Sequence, residues 1–242
     1  MPFLVQRIVM IIVSFVQDNE MNFFINNISE AATFSPLLPL FFLILIRSNK
    51  EYWPIKSLVV ISCVISLYSG YQAKFLNTNN MPSLHLLTVL EFLCISFFYN
   101  SSFRHFYLKK ISLIAGVGFT LFSIGNSLFF QDIYTYNSYA RGLEAFLVIC
   151  LSLLYFYETL QRQEIVRLEH SPTFWFNTAF LLYFTSTQFL FLFNNLILTT
   201  YSKDISNLFW KVHAFVCILY YLLLAVGIWK VRFKPTSPIS LS

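Results

Sequence analysis

Two histidines, two glutamates and an arginine lie in stretches otherwise given over to Leu, Ile, Phe and Val. His85, Thr88 and Glu91 fall in "SLHLLTVLEFLCI", in steps of three. Arg141 and Glu144 fall in "YARGLEAF", and Trp210 and His213 in "LFWKVHAF". Side chains of these types exchange protons, hold polar or charged groups, and in the right set bind zinc. Steps of three put His85, Thr88 and Glu91 on one broad helix face, with Glu91 about 9 Å deeper than His85. Arg141 and Glu144 are likewise near enough to touch on one face. A charged side chain at the centre of a bilayer costs about 2.5 to 3.5 kcal/mol on insertion scales. Glu91 is therefore expected to face the interior of a helix bundle, either protonated or paired.

Further polar residues fall at matching depths. Asn177, Leu181, Phe184, Gln188, Phe191 and Asn195 recur in alternating steps of four and three, which places Gln188 and Asn195 on one stripe. Asn126 closes another apolar run, and Tyr68, Tyr71 and Gln72 close a third.

The apolar runs must position these groups. The chain has 242 residues, 57% hydrophobic and 11% charged, where a soluble domain carries about 25% charged residues. Its 29 Phe and 14 Tyr add to an apolar surface that a soluble core cannot hide, so lipid has to cover it. Seven runs approach the length of about 20 residues that a spanning helix needs. They lie at 28–46, 57–76, 83–100, 109–130, 139–160, 174–198 and 208–230. Backbone groups in lipid must be satisfied within their own segment, so each run is expected to be a helix. The fold class is an all-α seven-transmembrane bundle, spanning 28–232, with a flexible tail at 233–242. Connections this short leave no room for a soluble catalytic domain.

Residues 1–27 are expected to be an extension. "IVMIIVSFV" is too short to span and no small-x-small cleavage site follows it. It reads either as an interfacial helix or as the product of a mis-called start, since Met21 opens a plausible beginning of its own, "MNFFINNISEAATFSP".

Lys and Arg orient the bundle. Arg47, Lys50, Lys56, Arg104, Lys109, Lys110, Arg162, Arg167, Lys230, Arg232 and Lys234 fall on one side; Arg7, Lys74, Arg141, Lys203 and Lys211 fall on the other. Positive connections stay in the cytoplasm. The N-terminus is expected outside, the C-terminus inside, and the protein in the cell (inner) membrane. The net charge of +5 is spread in short clusters between apolar runs, so the partner it implies is the bilayer and not nucleic acid. Cys63, Cys94, Cys150 and Cys217 all fall inside apolar runs, which argues against a disulfide framework and against CxxC metal sites.

Pro54, Pro82 and Pro172 stand just before spans, and Pro36 and Pro39 are expected to kink the first. Gly116, Thr120, Ser123 and Ser127 form a small-residue face suited to close packing. With this topology nearly all polar side chains fall in the outer half of the bundle, Asn177 and Glu158 excepted. The expected ligand-binding residues are His85, Thr88, Glu91, Asn126, Arg141, Glu144, Gln188, Asn195, Trp210 and His213. They should line an aromatic-walled cavity open to the outside, with Arg141 holding a polar or anionic group and the two histidines responding to pH. No cofactor is expected.

Several function classes were weighed on these residues. A retinal protein needs a lysine midway along the last span, but Lys211 and Lys230 lie at its ends. G-protein-coupled receptor motifs are missing from the ends of the third and seventh spans. A metal-dependent hydrolase would draw ligands from His85, His213 and Glu91. Seven-helix hydrolases of the ceramidase or adiponectin-receptor kind bring three histidines and an aspartate, and two histidines lie in the spans here. A transporter built as 3+1+3 is the other alternative, although the PQ dipeptide of such carriers is missing. The succession "HLLTVLEF", "ARGLEAFL", "SPTFWFN" and "WKVHAF" resembles a group of uncharacterised bacterial seven-helix membrane proteins. It is also loosely similar to the seven-helix sensing regions attached to histidine kinases, over residues 30–232. That resemblance implies a sensor signalling through a separate cytoplasmic or membrane partner.

Overall fold

In the computed structural model the described residues are 19–46, 50–162, 167–200 and 202–232. They form eight α-helices, which we number α1 (Asn19–Phe34), α2 (Leu37–Leu45), α3 (Trp53–Lys74), α4 (Met81–Ser102), α5 (Phe106–Phe129), α6 (Ser138–Arg162), α7 (Pro172–Thr200) and α8 (Lys203–Val231). Short 3-10 turns at Lys50–Tyr52 and Leu168–His170 complete them, and no strand occurs among the described residues. Seven helical stretches are long and apolar enough to cross a membrane, the first running from Asn27 to Leu45 through α1 and α2. The protein is a multi-pass membrane protein. Residues 19–27 of the expected N-terminal extension belong to α1; residues 1–18 and the 233–242 tail lie outside the described residues.

Proline explains where several helices begin and where the first breaks. Pro54 and Pro82 occupy the first turns of α3 and α4, and Pro172 opens α7, all positions where the missing N–H has no helical partner to lose. At Pro36 the first span is interrupted: Ser35 N bonds Ala32 O at 3.2 Å, its hydroxyl bonds the same carbonyl at 2.7 Å, and α2 restarts at Leu37. Pro39 is accommodated inside α2 and buried.

Neighbours in sequence pack as neighbours in space, from α3 through α8. The last helix closes the ring by packing on both α1 and α2, and α4 also packs across the bundle on α6. The connectors alternate between two ends. The 75–80 and 130–137 connectors lie at the end that carries His85, and the 103–105 connector lies at the end that carries Glu158.

The polarity of α5 is that of a membrane helix. Ser112, Gly116, Phe119, Ser123 and Asn126 are buried on one face, while Ile114, Val117, Leu121, Ile124 and Leu128 are exposed on the other. Small and polar residues face the bundle and branched aliphatics face outward, as lipid surroundings require. Gly116 sets the approach of α4: a Cβ there would stand 2.6 Å from Ser96 Oγ. Gly227 of α8 does the same for the buried ring of Phe176, 2.5 Å from where a Cβ would be. The core is strongly aromatic, with Phe92 and Phe119 at 4.4 Å between centroids and Phe98 and Phe180 at 5.4 Å. The four cysteines are free thiols.

Candidate functional site

Glu91 lies about three turns into α4, and Arg141 and Glu144 lie in the opening turns of α6. The contact between α4 and α6 brings them together. Arg141 Nη1 donates to Glu91 Oε2 at 2.7 Å and to Glu144 Oε2 at 2.8 Å. All three are buried, at 4% exposure for Glu91, 7% for Arg141 and 0% for Glu144. The guanidinium lies 5.4 Å from the ring centroid of Phe191 in α7. One guanidinium thus faces two carboxylates, and the fully ionised cluster carries a net negative charge. The sequence reading expects Arg141 to hold a polar or anionic group of a ligand; in the fold its Nη1 faces these two acids.

His85 is anchored to the polypeptide around it. Its Nδ1 lies 2.8 Å from Ser127 Oγ and its Nε2 lies 3.0 Å from the Thr135 carbonyl. A carbonyl only accepts, so Nε2 carries a proton and donates. Ser127 Oγ also lies 3.0 Å from the Ser123 carbonyl. Its single proton therefore serves either that carbonyl or a neutral His85 Nδ1, and a charged ring would donate from both nitrogens.

Thr88 donates to the Leu84 carbonyl at 2.8 Å and accepts from Asn137 Nδ2 at 2.8 Å. Asn126 Nδ2 donates to Gln131 Oε1 at 3.0 Å, and Gln131 Nε2 donates to Ser138 Oγ at 2.9 Å. Asn195 Nδ2 reaches Ser138 Oγ at 3.1 Å and the Tyr136 carbonyl at 3.2 Å. His213 Nε2 lies 3.2 Å from the Tyr183 hydroxyl, and its ring meets Trp210 at 5.1 Å and Phe191 at 5.5 Å between centroids. Phe191 therefore touches both Arg141 and His213.

Most of these contacts converge on one segment, the 130–137 connector. His85, Asn79, Asn126 and Asn195 all bond it, and Asn137 bonds Thr88. Tyr136 is buried beneath it, its ring 5.8 Å from Trp210 and 6.4 Å from Phe191. Tyr136 is not part of a spanning helix, and burial pushes its phenol above the ordinary tyrosine range; nearby Arg141 opposes the shift, and Glu144 and Glu91 add to it. The connector thus reaches the charged cluster through Phe191, which packs on both Tyr136 and Arg141. A groove of about 330 Å³ does lie at this end, but residues 127–133 line it, from the close of α5 and the start of the connector.

No family model, curated protein or solved structure matches the chain.

Nine of the ten expected residues are thus joined through the Arg141 cluster, the connector or the aromatic wall beside His213. Thr88 reaches the connector through Asn137. Gln188 is half-buried with its Oε1 unpartnered. Tyr68 and Tyr71 are half-exposed. Among the described residues no group of three His, Cys, Asp or Glu is arranged to hold a metal ion. The residues that sequence reasoning missed are Ser127, Gln131, Tyr136, Asn137 and Tyr183. Asn137 carried a signal, since Asn before an apolar run commonly opens a helix. Tyr183 carried one too, because a phenol in the middle of a span needs a polar partner.

The other end holds polar groups of its own. Tyr99 donates to Asn177 Oδ1 at 2.7 Å and lies 2.6 Å from Ser152 Oγ, all three buried. Glu158 accepts from the backbone N–H of Arg104 at 3.0 Å and of His105 at 2.9 Å, and pairs with Arg162. Those N–H groups precede the first turn of α5, so Glu158 ties α6 to the start of α5. Asn177 and Glu158 therefore serve packing, and polarity is less one-sided than the sequence implies.

Proposed function

We propose that this protein is a sensor in the cell (inner) membrane that detects protons or a small ligand and signals through a separate partner. The single observation that carries the reading is Arg141 held between Glu91 of α4 and Glu144 of α6. Ionisable groups from two helices meet at a depth where each alone would be penalised by several kcal/mol. A contact of this kind couples helix positions to charge, which a sensor requires. The Lys and Arg distribution supports an orientation with the N-terminus and the His85 end outside and the C-terminus inside. The 130–137 connector then covers the charged cluster on the outer side, and a ligand larger than a proton enters by displacing it. The negative balance of the cluster favours a proton or a small cationic group over an anion. Basic residues at the other end, among them Arg104, Lys109 and Lys110, offer a surface for a cytoplasmic partner.

The test uses Trp210, which packs edge-to-face against His213 and Tyr136. With Trp53, Trp175 and Trp229 replaced by Phe, the protein in vesicles leaves Trp210 as its indole. A step in external pH, or addition of small amines such as ethylammonium, should shift its emission. The shift should be lost in Glu91→Gln. An emission that ignores every addition, or a response unchanged in Glu91→Gln, removes the reading.

A further inference from the structure

We propose that the Glu91–Arg141–Glu144 cluster is a proton-binding site that holds one proton, on Glu144. The inference deepens the sensor reading by naming the species bound, but proton occupancy stands or falls without any signalling.

The first reason is charge. Both carboxylates contact the same nitrogen, at 2.7 and 2.8 Å, in a region where none of the three residues is more than 7% exposed. The cation that acts on Glu144 is Arg141, and Glu91 acts on it as a second negative charge. The surrounding elements bring titratable groups that are neutral at ordinary pH. The connector brings Tyr136 and α7 brings Tyr183, both within electrostatic reach of Arg141. From α8 come Cys217, Tyr220 and Tyr221, and from α4 Cys94, all acted on by Glu91. His213, also from α8, has Nε2 3.2 Å from the Tyr183 hydroxyl and packs on the same Phe191 ring as the guanidinium. A single proton brings the cluster to neutrality.

The second reason is hydrogen bonding, and it selects the acid. Glu144 Oε1 is fully buried and has no partner. An unpartnered oxygen on a neutral carboxyl costs a few kcal/mol, whereas an ionised carboxylate in the same apolar surroundings costs far more. Proton release from Glu144 leaves the net negative charge uncompensated under the connector.

Infrared difference spectroscopy of the full chain in vesicles reads this directly, through the C=O stretch of a protonated carboxyl and its shift in D2O. Wild type at pH 7 should show one such band. Glu144→Gln removes the acid that carries the proton. Glu91→Gln leaves a one-to-one Arg141–Glu144 pair, so it should erase the band as well. Absence of the band in wild type, its persistence in either variant, or its loss on adding sodium chloride at fixed pH would overturn the proposal. The last outcome would assign the place to a metal cation. Circular dichroism of both variants, and of Glu91→Asp as a control that keeps the charge and the band, separates a lost proton from a lost fold. A band that behaves as expected beside a silent Trp210 would retain the proton site and discard the sensor.

Discussion

A single nitrogen of Arg141 holds the carboxylates of Glu91 and Glu144, so α4 and α6 are joined by one charged contact well inside the bundle. Removing the shared partner is therefore the most damaging change available at the cluster. Arg141→Met leaves two acids facing each other without a cation, and breaking a buried pair in this way costs about 3 to 5 kcal/mol. Adding Glu91→Gln to Arg141→Met should restore part of the loss, because one of the two acids left without a cation is gone. Thermal denaturation of the single and double variants in one detergent checks it. Equal Tm values for the two would mean that the acids do not interact.

The His85 ring ties α4 to α5 through Ser127 and to the connector through the Thr135 carbonyl. His85→Phe fills the same space and breaks both bonds. The freed carbonyl and hydroxyl together should cost about 1 to 3 kcal/mol. The local effect is the sharper observable: amide hydrogen exchange at residues 130–137 should quicken, while the helices beneath keep their protection. His85→Gln, which retains a donor, should fall between the two. Unchanged exchange in His85→Phe would show that the remaining bonds from Asn79 and Asn195 hold the connector alone.

The approach of α5 to α4 depends on the missing side chain at Gly116. A Cβ there would come within 2.6 Å of Ser96 Oγ, and that hydroxyl is itself held by a 2.6 Å bond to the Ser112 carbonyl. Ser96 therefore has little freedom to yield, and Gly116→Ala should destabilise by about 1 to 3 kcal/mol through overpacking. Ser96→Ala removes the obstructing atom. The double variant should be less destabilised than the sum of the two singles, a coupling that equilibrium unfolding of the four proteins measures.

The seven spans were legible because their signal is long and redundant: some twenty apolar residues each, with Pro54, Pro82 and Pro172 marking where helices open. The Arg141 cluster was legible in part for a related reason. Glu91, Arg141 and Glu144 are rare types in such surroundings, and a buried charge needs a partner. What the sequence did not disclose was the cover. Gln131, Tyr136 and Asn137 look like ordinary connector residues, and only the folded chain shows four side chains reaching to that segment. The inner network of Tyr99, Ser152 and Asn177 was hidden for another reason: serine and tyrosine are common in spans, and which of them meet depends on helix rotation that spacing alone leaves open.

Tyr136 gives the cover a measurable pH dependence. Its phenol is pushed above the ordinary tyrosine range by burial, only partly offset by Arg141. In the unfolded chain the same phenol ionises near about pH 10. The unfolded state therefore binds fewer protons than the native one once the pH passes that value, and stability falls as pH rises further. Below that value the contribution of Tyr136 is fully present. Native protein should resist phenolate formation at Tyr136, and denaturation should become easier from about pH 10 upward. Tyr136→Phe keeps the ring between Trp210 and Phe191 and removes the titrating group, so the alkaline loss of stability should be shallower than in wild type. Chemical denaturation at a series of alkaline pH values, with phenolate absorbance followed in parallel, decides it. Identical slopes in the two proteins would mean that Tyr136 is as accessible to hydroxide when folded as when unfolded, and that the connector does not seal the charged cluster beneath it.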